Sequence, residues 1–162
     1  MNSNTTSMVS GLLLSLALGW FTQLPAQETQ LDVTNRFAVE TDEIPDFQKH
    51  VVPLFGRLGC NGRACHGSFQ GQGGFQLSLF GYDFDADHQA LFSEESPRVD
   101  LDVVDESLIL FKPTDEDEHE GGERFSKEGW EYRLLSQWIA AGAPKAEPIH
   151  RLEHLRVEPQ QI

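Results

Sequence analysis

The chain has 162 residues, with 26 Asp and Glu against 12 Lys and Arg, which gives a formal net charge of -14 at pH 7. This charge argues against nucleic acid as a partner, because an acidic surface repels phosphate backbones. It would instead steer a basic protein partner toward the chain. The length suits one small domain with flexible ends, and no internal repeat is visible.

Residues 1–26 are predicted to be a signal peptide. They contain no Asp, Glu, Lys or Arg, and their apolar block at 9–21 has the length of a signal core but is too short to span a bilayer. A cleavage point is expected after Ala26. A retained membrane anchor is the alternative, since no basic residue lies near Met1. We expect an exported protein, periplasmic or extracellular, with no membrane association after cleavage.

The remaining chain divides into three parts by composition. Residues 27–44 are polar and mixed, and we predict a linker there, with folding beginning near Asp46. Residues 45–146 are predicted to form the domain. Residues 147–162 are predicted to be a second linker.

The first predicted helix starts with Asp46 as its N-cap and ends at Gly59. Pro53 is expected to kink it. The apolar positions recur at helical spacing and comprise Phe47, Val51, Leu54, Phe55 and Leu58. The helix should therefore deliver its last turn directly to Cys60.

The middle of the chain alternates between loops and short elements. Residues 67–74 are rich in Gly and Gln, and the alternation at 75–80 predicts an extended segment or a short core strand. A helix is predicted over 83–92, and one or two turns over 105–111 before Pro113.

The last predicted helix starts near Ser126 and ends at Gly142. Its apolar stripe comprises Trp130, Leu134, Leu135, Trp138 and Ile139. We expect its tryptophans to serve both as core and as the wall of a cofactor site.

The two cysteines of the chain lie beside a histidine, in the segment Cys60-Asn61-Gly62-Arg63-Ala64-Cys65-His66. This arrangement predicts covalent haem attachment, although the usual signature spaces its cysteines by two residues and this one by four. Two thiols can add to the two vinyl groups of a haem, and a histidine directly after the second thiol can be the proximal iron ligand. Asn61 and Gly62 supply backbone freedom for the longer loop.

Two other interpretations of this segment compete with haem attachment. A single disulfide between Cys60 and Cys65 would suit an exported protein. A structural zinc site would need four protein ligands, and no second pair of cysteines is present to complete it.

A second axial ligand must come from the histidines, because Met1 and Met8 both lie in the predicted signal peptide. The candidates are His50, His88, His119, His150 and His154. We predict His119, which lies in the loop 115–122 beside the pair Gly121 and Gly122, with His88 as the competitor. His50 is expected to point to solvent. The predicted metal ligands are therefore His66 and His119.

Several segments together resemble the planctomycete-type cytochrome c-like domain over about residues 47–144. The resemblance is carried by Gly59-Cys60-Asn61, Ala64-Cys65-His66-Gly67, Gly73-Gly74-Phe75, Leu77-Ser78-Leu79-Phe80-Gly81-Tyr82-Asp83, Glu106-Ser107-Leu108, Lys112-Pro113, His119-Glu120-Gly121-Gly122 and Trp138-Ile139-Ala140-Ala141-Gly142-Ala143-Pro144. It implies an all-α, cytochrome c-like domain around one covalent haem c per chain. It also implies an N-terminal module of a longer exported polypeptide, in which residues 147–162 include the start of a truncated immunoglobulin-like domain.

These observations predict an electron-transfer module rather than an enzyme, in which Cys60, Cys65, His66 and His119 bind the haem. Its partner would be a redox protein or the downstream domains of a longer chain. Two alternatives stay open: a haem-based sensor or ligand-binding module with a vacant distal position, and a haem-free interaction domain with a disulfide.

Overall fold

A computed structural model describes residues 32–145 and 153–154 of the chain. Within these residues the protein is helical and has no β-sheet, only one isolated antiparallel bridge between Gln72 and Phe75. The prediction of an all-α domain is confirmed at this level. The predicted signal peptide at 1–26 lies outside the described residues, as does nearly all of 147–162. No helix in the described ranges is long and apolar enough to cross a membrane.

The helices are short and are joined by irregular segments. The α-helices are α1 Val33–Arg36, α2 Val52–Leu58, α3 Phe84–Leu91, α4 Leu108–Phe111 and α5 Trp130–Ala140. A π-helical turn, Phe47–Val51, precedes α2, and three 3-10 turns are Leu79–Gly81, Val104–Glu106 and Lys112–Thr114.

The first predicted helix has the expected ends. The Asp46 carboxylate accepts a hydrogen bond from the Lys49 amide at 2.8 Å, and Gly59 ends α2 in the left-handed conformation at φ 80°. Pro53 acts differently from the prediction of a kink inside one helix. The chain changes from a π-helical turn to an α-helix at Val52, so that Pro53 falls in the first turn of α2, where its missing N–H is tolerated.

Folding begins earlier than predicted, because residues 32–44 pack on the domain. Phe37 is fully buried in the core. Its carbonyl accepts a hydrogen bond from Arg133 at 3.2 Å, and the Thr41 carbonyl accepts one from Gln137 at 3.0 Å. The prediction of a linker at 27–44 is therefore wrong for its described part. One aromatic side chain anchors a stretch whose average composition is polar.

Helix α5 forms the centre of the core. Leu134, Leu135, Trp138 and Ile139 are buried, and the Trp138 ring stacks on Phe47 with ring centroids 5.5 Å apart. The helix begins at Trp130 rather than near Ser126. The Ser126 hydroxyl bonds the amide and the carboxylate of Glu128, which holds this part of the chain in a turn.

The middle elements follow the predictions in part. Asp83 caps α3 as expected for the helix over 83–92, with its carboxylate bound to the Ala86 amide at 3.0 Å. The segment 75–80 is extended only as far as Ser78 and then enters a 3-10 turn. Pro113 does not end the turns that precede it, because the chain tightens from α4 into the 3-10 turn that contains it.

Candidate cofactor site

A cavity of about 670 Å³ brings all four predicted site residues together. Its size lies within the range of about 300–1,000 Å³ typical of ligand and cofactor sites. The wall contains residues from the attachment loop (residues 60–66), the distal loop (residues 115–122) and α5. Cys60, Cys65, His66 and His119 all line it.

The attachment loop is closed by backbone hydrogen bonds at both ends. The Cys60 amide bonds the Phe55 carbonyl at 2.9 Å at the end of α2, and the His66 amide bonds the Cys60 carbonyl at 2.9 Å. Gly67 follows at a point of close approach, where a Cβ would lie 2.0 Å from the Asn61 carbonyl oxygen. The four-residue spacing between the cysteines therefore forms a compact loop, and the glycine after His66 is a steric requirement.

The His66 ring is held through one nitrogen. Its Nδ1 lies 3.1 Å from the Phe75 carbonyl oxygen, and the Phe75 ring packs against it at 4.8 Å between centroids. A carbonyl oxygen can only accept, so Nδ1 donates and Nε2 is the unprotonated nitrogen of the neutral ring. Burial lowers the pKa of His66, which favours the neutral form that binds metal.

His119, which also lines the cavity, is held in the same way. Its Nδ1 donates to the Gly122 carbonyl at 2.8 Å, which leaves Nε2 as the unprotonated nitrogen of the neutral ring. Gly121 leaves room for this ring, since a Cβ there would lie 2.8 Å from His119 Cε1.

The separation of the two imidazoles fits one shared metal. The ring centroids of His66 and His119 lie 6.2 Å apart, and their planes differ by 23°. Two imidazoles bound end-on to one ion, each with a metal–nitrogen bond of about 2 Å, place their ring centroids about 6 Å apart. The distance between these two rings therefore allows both imidazoles to bind one iron.

The competing histidines have other roles. His88 donates through Nε2 to the Ala143 carbonyl at 3.0 Å and packs on Phe47 at 5.1 Å, away from the cavity lining. The expectation that His50 points to solvent is wrong. Its Nδ1 accepts a hydrogen bond from the Asp46 amide at 2.8 Å, and its ring packs edge-on against Phe37. His150 lies outside the described residues, and His154 is exposed.

The cysteines are not joined to each other by a disulfide. Burial raises the pKa of the Cys60 thiol to about 11, with Arg124 opposing this shift. Cys60 is therefore a neutral thiol at pH 7. A neutral, partly buried sulfur suits contact with an apolar vinyl edge better than it suits thiolate chemistry.

Two features of the wall differ from what the sequence indicated. Of the α5 stripe, Leu135 lines the cavity, whereas Trp130 and Trp138 do not, so the tryptophans do not form the cofactor wall. Arg98, which no sequence pattern singled out, lines the cavity and is only 8% exposed. An isolated arginine gives no periodic signal, so only its burial in the folded chain reveals it.

Within 32–145 and 153–154, no group of three or more His, Cys, Asp or Glu side chains comes close enough to hold a bare metal ion. A haem needs fewer protein ligands, because the porphyrin supplies the equatorial nitrogens and the protein only the axial positions.

Comparisons of the chain with family models, with the curated proteins and with the solved structures find no match. The resemblance to the planctomycete-type cytochrome c-like domain therefore remains a prediction based on the motifs. The facing histidines and the shared cavity are separate observations, because they depend on the folded chain and not on the motifs alone.

Proposed function

We propose that this chain is an exported c-type cytochrome domain that holds one haem covalently and transfers single electrons. One observation carries the proposal: two imidazoles, each held by a carbonyl through Nδ1, face each other at 6.2 Å in a cavity that both thiols also line. Neither a lone disulfide nor an ordinary core histidine requires this arrangement.

Cys60 and Cys65 would hold the haem covalently. Each thiol would add across one vinyl group, with its sulfur on one vinyl carbon and its hydrogen on the other. Nothing leaves in this addition and no external oxidant is needed. A disulfide, in contrast, requires the loss of two electrons from the same thiols.

His66 and His119 would hold the iron through their Nε2 atoms and so set the electronic properties of the site. The bound haem supplies a one-electron iron couple. Two imidazoles give a lower reduction potential than a histidine and methionine pair, because methionine raises it. The apolar lining side chains Phe55, Phe75, Leu77 and Leu135 would shield a bound haem from water.

Once the haem is attached, electron transfer needs no further bond-making groups from the protein, so we propose an electron-transfer module rather than an enzyme. The partner would be a redox protein or the downstream domains of a longer polypeptide. The net charge of -14 favours a basic surface on that partner, with association that weakens as salt is added.

The proposal is tested by producing the full chain in a bacterial periplasm together with a haem-attachment system. We expect a red protein whose mass includes one haem, and whose reduced spectrum responds little to carbon monoxide. The control is the double variant Cys60→Ser and Cys65→Ser, which should lose the covalent haem but keep the fold.

Two results would overturn the proposal. A colourless protein with Cys60 and Cys65 joined would indicate the haem-free interaction domain. A haem that binds carbon monoxide rapidly would indicate a vacant distal position and hence the sensor alternative. The variant His119→Ala serves as reference for that outcome, because it should bind carbon monoxide readily.

A further inference from the structure

Arg98 is a buried cation in the wall of the cavity. Its side chain lies over the Phe75 ring at 5.1 Å, and one terminal nitrogen donates to the Gly73 carbonyl at 2.8 Å. Its Nε is buried and has no hydrogen-bond partner among the described residues. The backbone at Arg98 is fixed at both sides, since its amide bonds the Leu91 carbonyl and its carbonyl accepts from Ile109.

The described part of the chain provides no carboxylate for this guanidinium. The ion pairs within the described residues join Arg36 to Glu43 and Lys145 to Asp85, and neither involves Arg98. Buried charges in proteins are normally paired, because leaving water without a counter-charge is costly. An unpaired buried arginine is unexpected in a chain with 26 acidic residues.

Arg98 and His66 share one aromatic neighbour in the wall of the cavity. The Phe75 ring contacts the His66 ring at 4.8 Å between centroids, and the Arg98 guanidinium lies 5.1 Å from the Phe75 centroid. The propionates are the anionic groups that a haem would bring into this cavity.

Resting on the proposed function, we propose that Arg98 binds a propionate carboxylate of the haem. The guanidinium presents a planar fork of N–H donors that matches a carboxylate, and Arg98 lines the cavity that the haem would occupy. The bound propionate would supply the missing counter-charge.

The other cations that line the cavity are less suited to this role. Lys112 Nζ already donates to the Glu118 carbonyl at 2.9 Å. Arg124 lies next to the distal loop. Its Nη2 is close to Gly121, since a Cβ added to that glycine would lie 3.0 Å from it. Arg98 is the most buried of the three and lies beside the proximal histidine.

The test uses reversible haem binding by the full chain carrying Cys60→Ser and Cys65→Ser. Binding of ferric haem is compared with binding of haem dimethyl ester, in which both propionates are blocked, by absorbance titration. Arg98→Gln should weaken haem binding about tenfold or more, since a charge-assisted hydrogen bond is lost, and should leave ester binding nearly unchanged. Arg57→Gln, which removes an exposed cation outside the cavity, is the matched control.

The outcomes separate this inference from the proposed function. An equal loss of haem and ester binding in Arg98→Gln, or no loss of either, would overturn the propionate assignment while leaving the haem site intact. Failure of the parent chain to take up haem, covalently or reversibly, would overturn the proposed function.

A second measurement covers the case in which the cysteine-free chain does not fold. In the covalent holoprotein, Arg98→Gln should lower the reduction potential relative to the parent, because a nearby positive charge favours the reduced iron. Arg57→Gln should leave the potential almost unchanged. An identical potential in Arg98→Gln and the parent would overturn the assignment.

Discussion

Replacing Gly121 by alanine tests whether His119 is an iron ligand. The added Cβ would lie 2.8 Å from His119 Cε1 and 3.2 Å from Nδ1, whereas ordinary contacts begin at 3.4 Å. The ring must therefore move by at least about 0.6 Å, which exceeds the tolerance of about 0.2 Å on a metal–ligand bond. We expect weaker ligation, with carbon monoxide binding to the reduced haem of Gly121→Ala much faster than to the parent.

Gly142→Ala is the matched control, because it adds the same atom to a glycine outside the cavity lining. Gly142 has φ +89°, and a Cβ added there would have no atom within 4 Å, so the change strains the backbone without contacting the ring or the carbonyl that holds it. It should lower the free energy of unfolding by about 1–2 kcal/mol and leave carbon monoxide binding slow. Slow binding in Gly121→Ala, or equally fast binding in both variants, would refute the reasoning.

Three further predictions concern stability and the remaining candidate groups. Phe37→Ala should lower the free energy of unfolding by about 3–5 kcal/mol in urea titration, because it empties a fully buried site, whereas Phe69→Ala, at an exposed side chain, should change it by less than about 0.5 kcal/mol. His88→Gln should lower the melting temperature through its lost bond to Ala143 but leave the haem spectrum unchanged. In the haem-free chain, the free energy of unfolding should fall by about 2 kcal/mol as pH rises from 9.0 to about 11, since the pKa of Cys60 is raised in the folded state. Cys60→Ser should remove this loss.

Each of these has a contradicting result. An unaffected free energy of unfolding in Phe37→Ala would show that the segment 32–44 is not part of the folded unit. A changed haem spectrum in His88→Gln would indicate that His88, and not His119, is the distal ligand. If the parent and Cys60→Ser lose the same free energy of unfolding over this alkaline range, a group other than Cys60 causes the loss. The first candidate is Tyr132, whose pKa is raised to about 12.

The local features of the site are predictable from the sequence because they depend on residues close together in the chain. Asp46 and Asp83 cap the helices that follow them, and Gly59 ends α2 directly before Cys60. Both cysteines lie close to His66 in the structure because all three residues are close together in the sequence. The prediction of His119 rests on the lack of methionine after residue 26 and on its glycine-containing loop.

The relation between distant residues is decided only by the tertiary structure. The sequence leaves His88 and His119 as competitors, and packing separates them, since His88 lies among core aromatic rings and His119 faces His66. The burial of Phe37 and of Arg98 also depends on segments remote in the chain. Hydrophobic periodicity reports which face of an element is apolar, but not which other element covers it, so only the folded chain reveals these contacts.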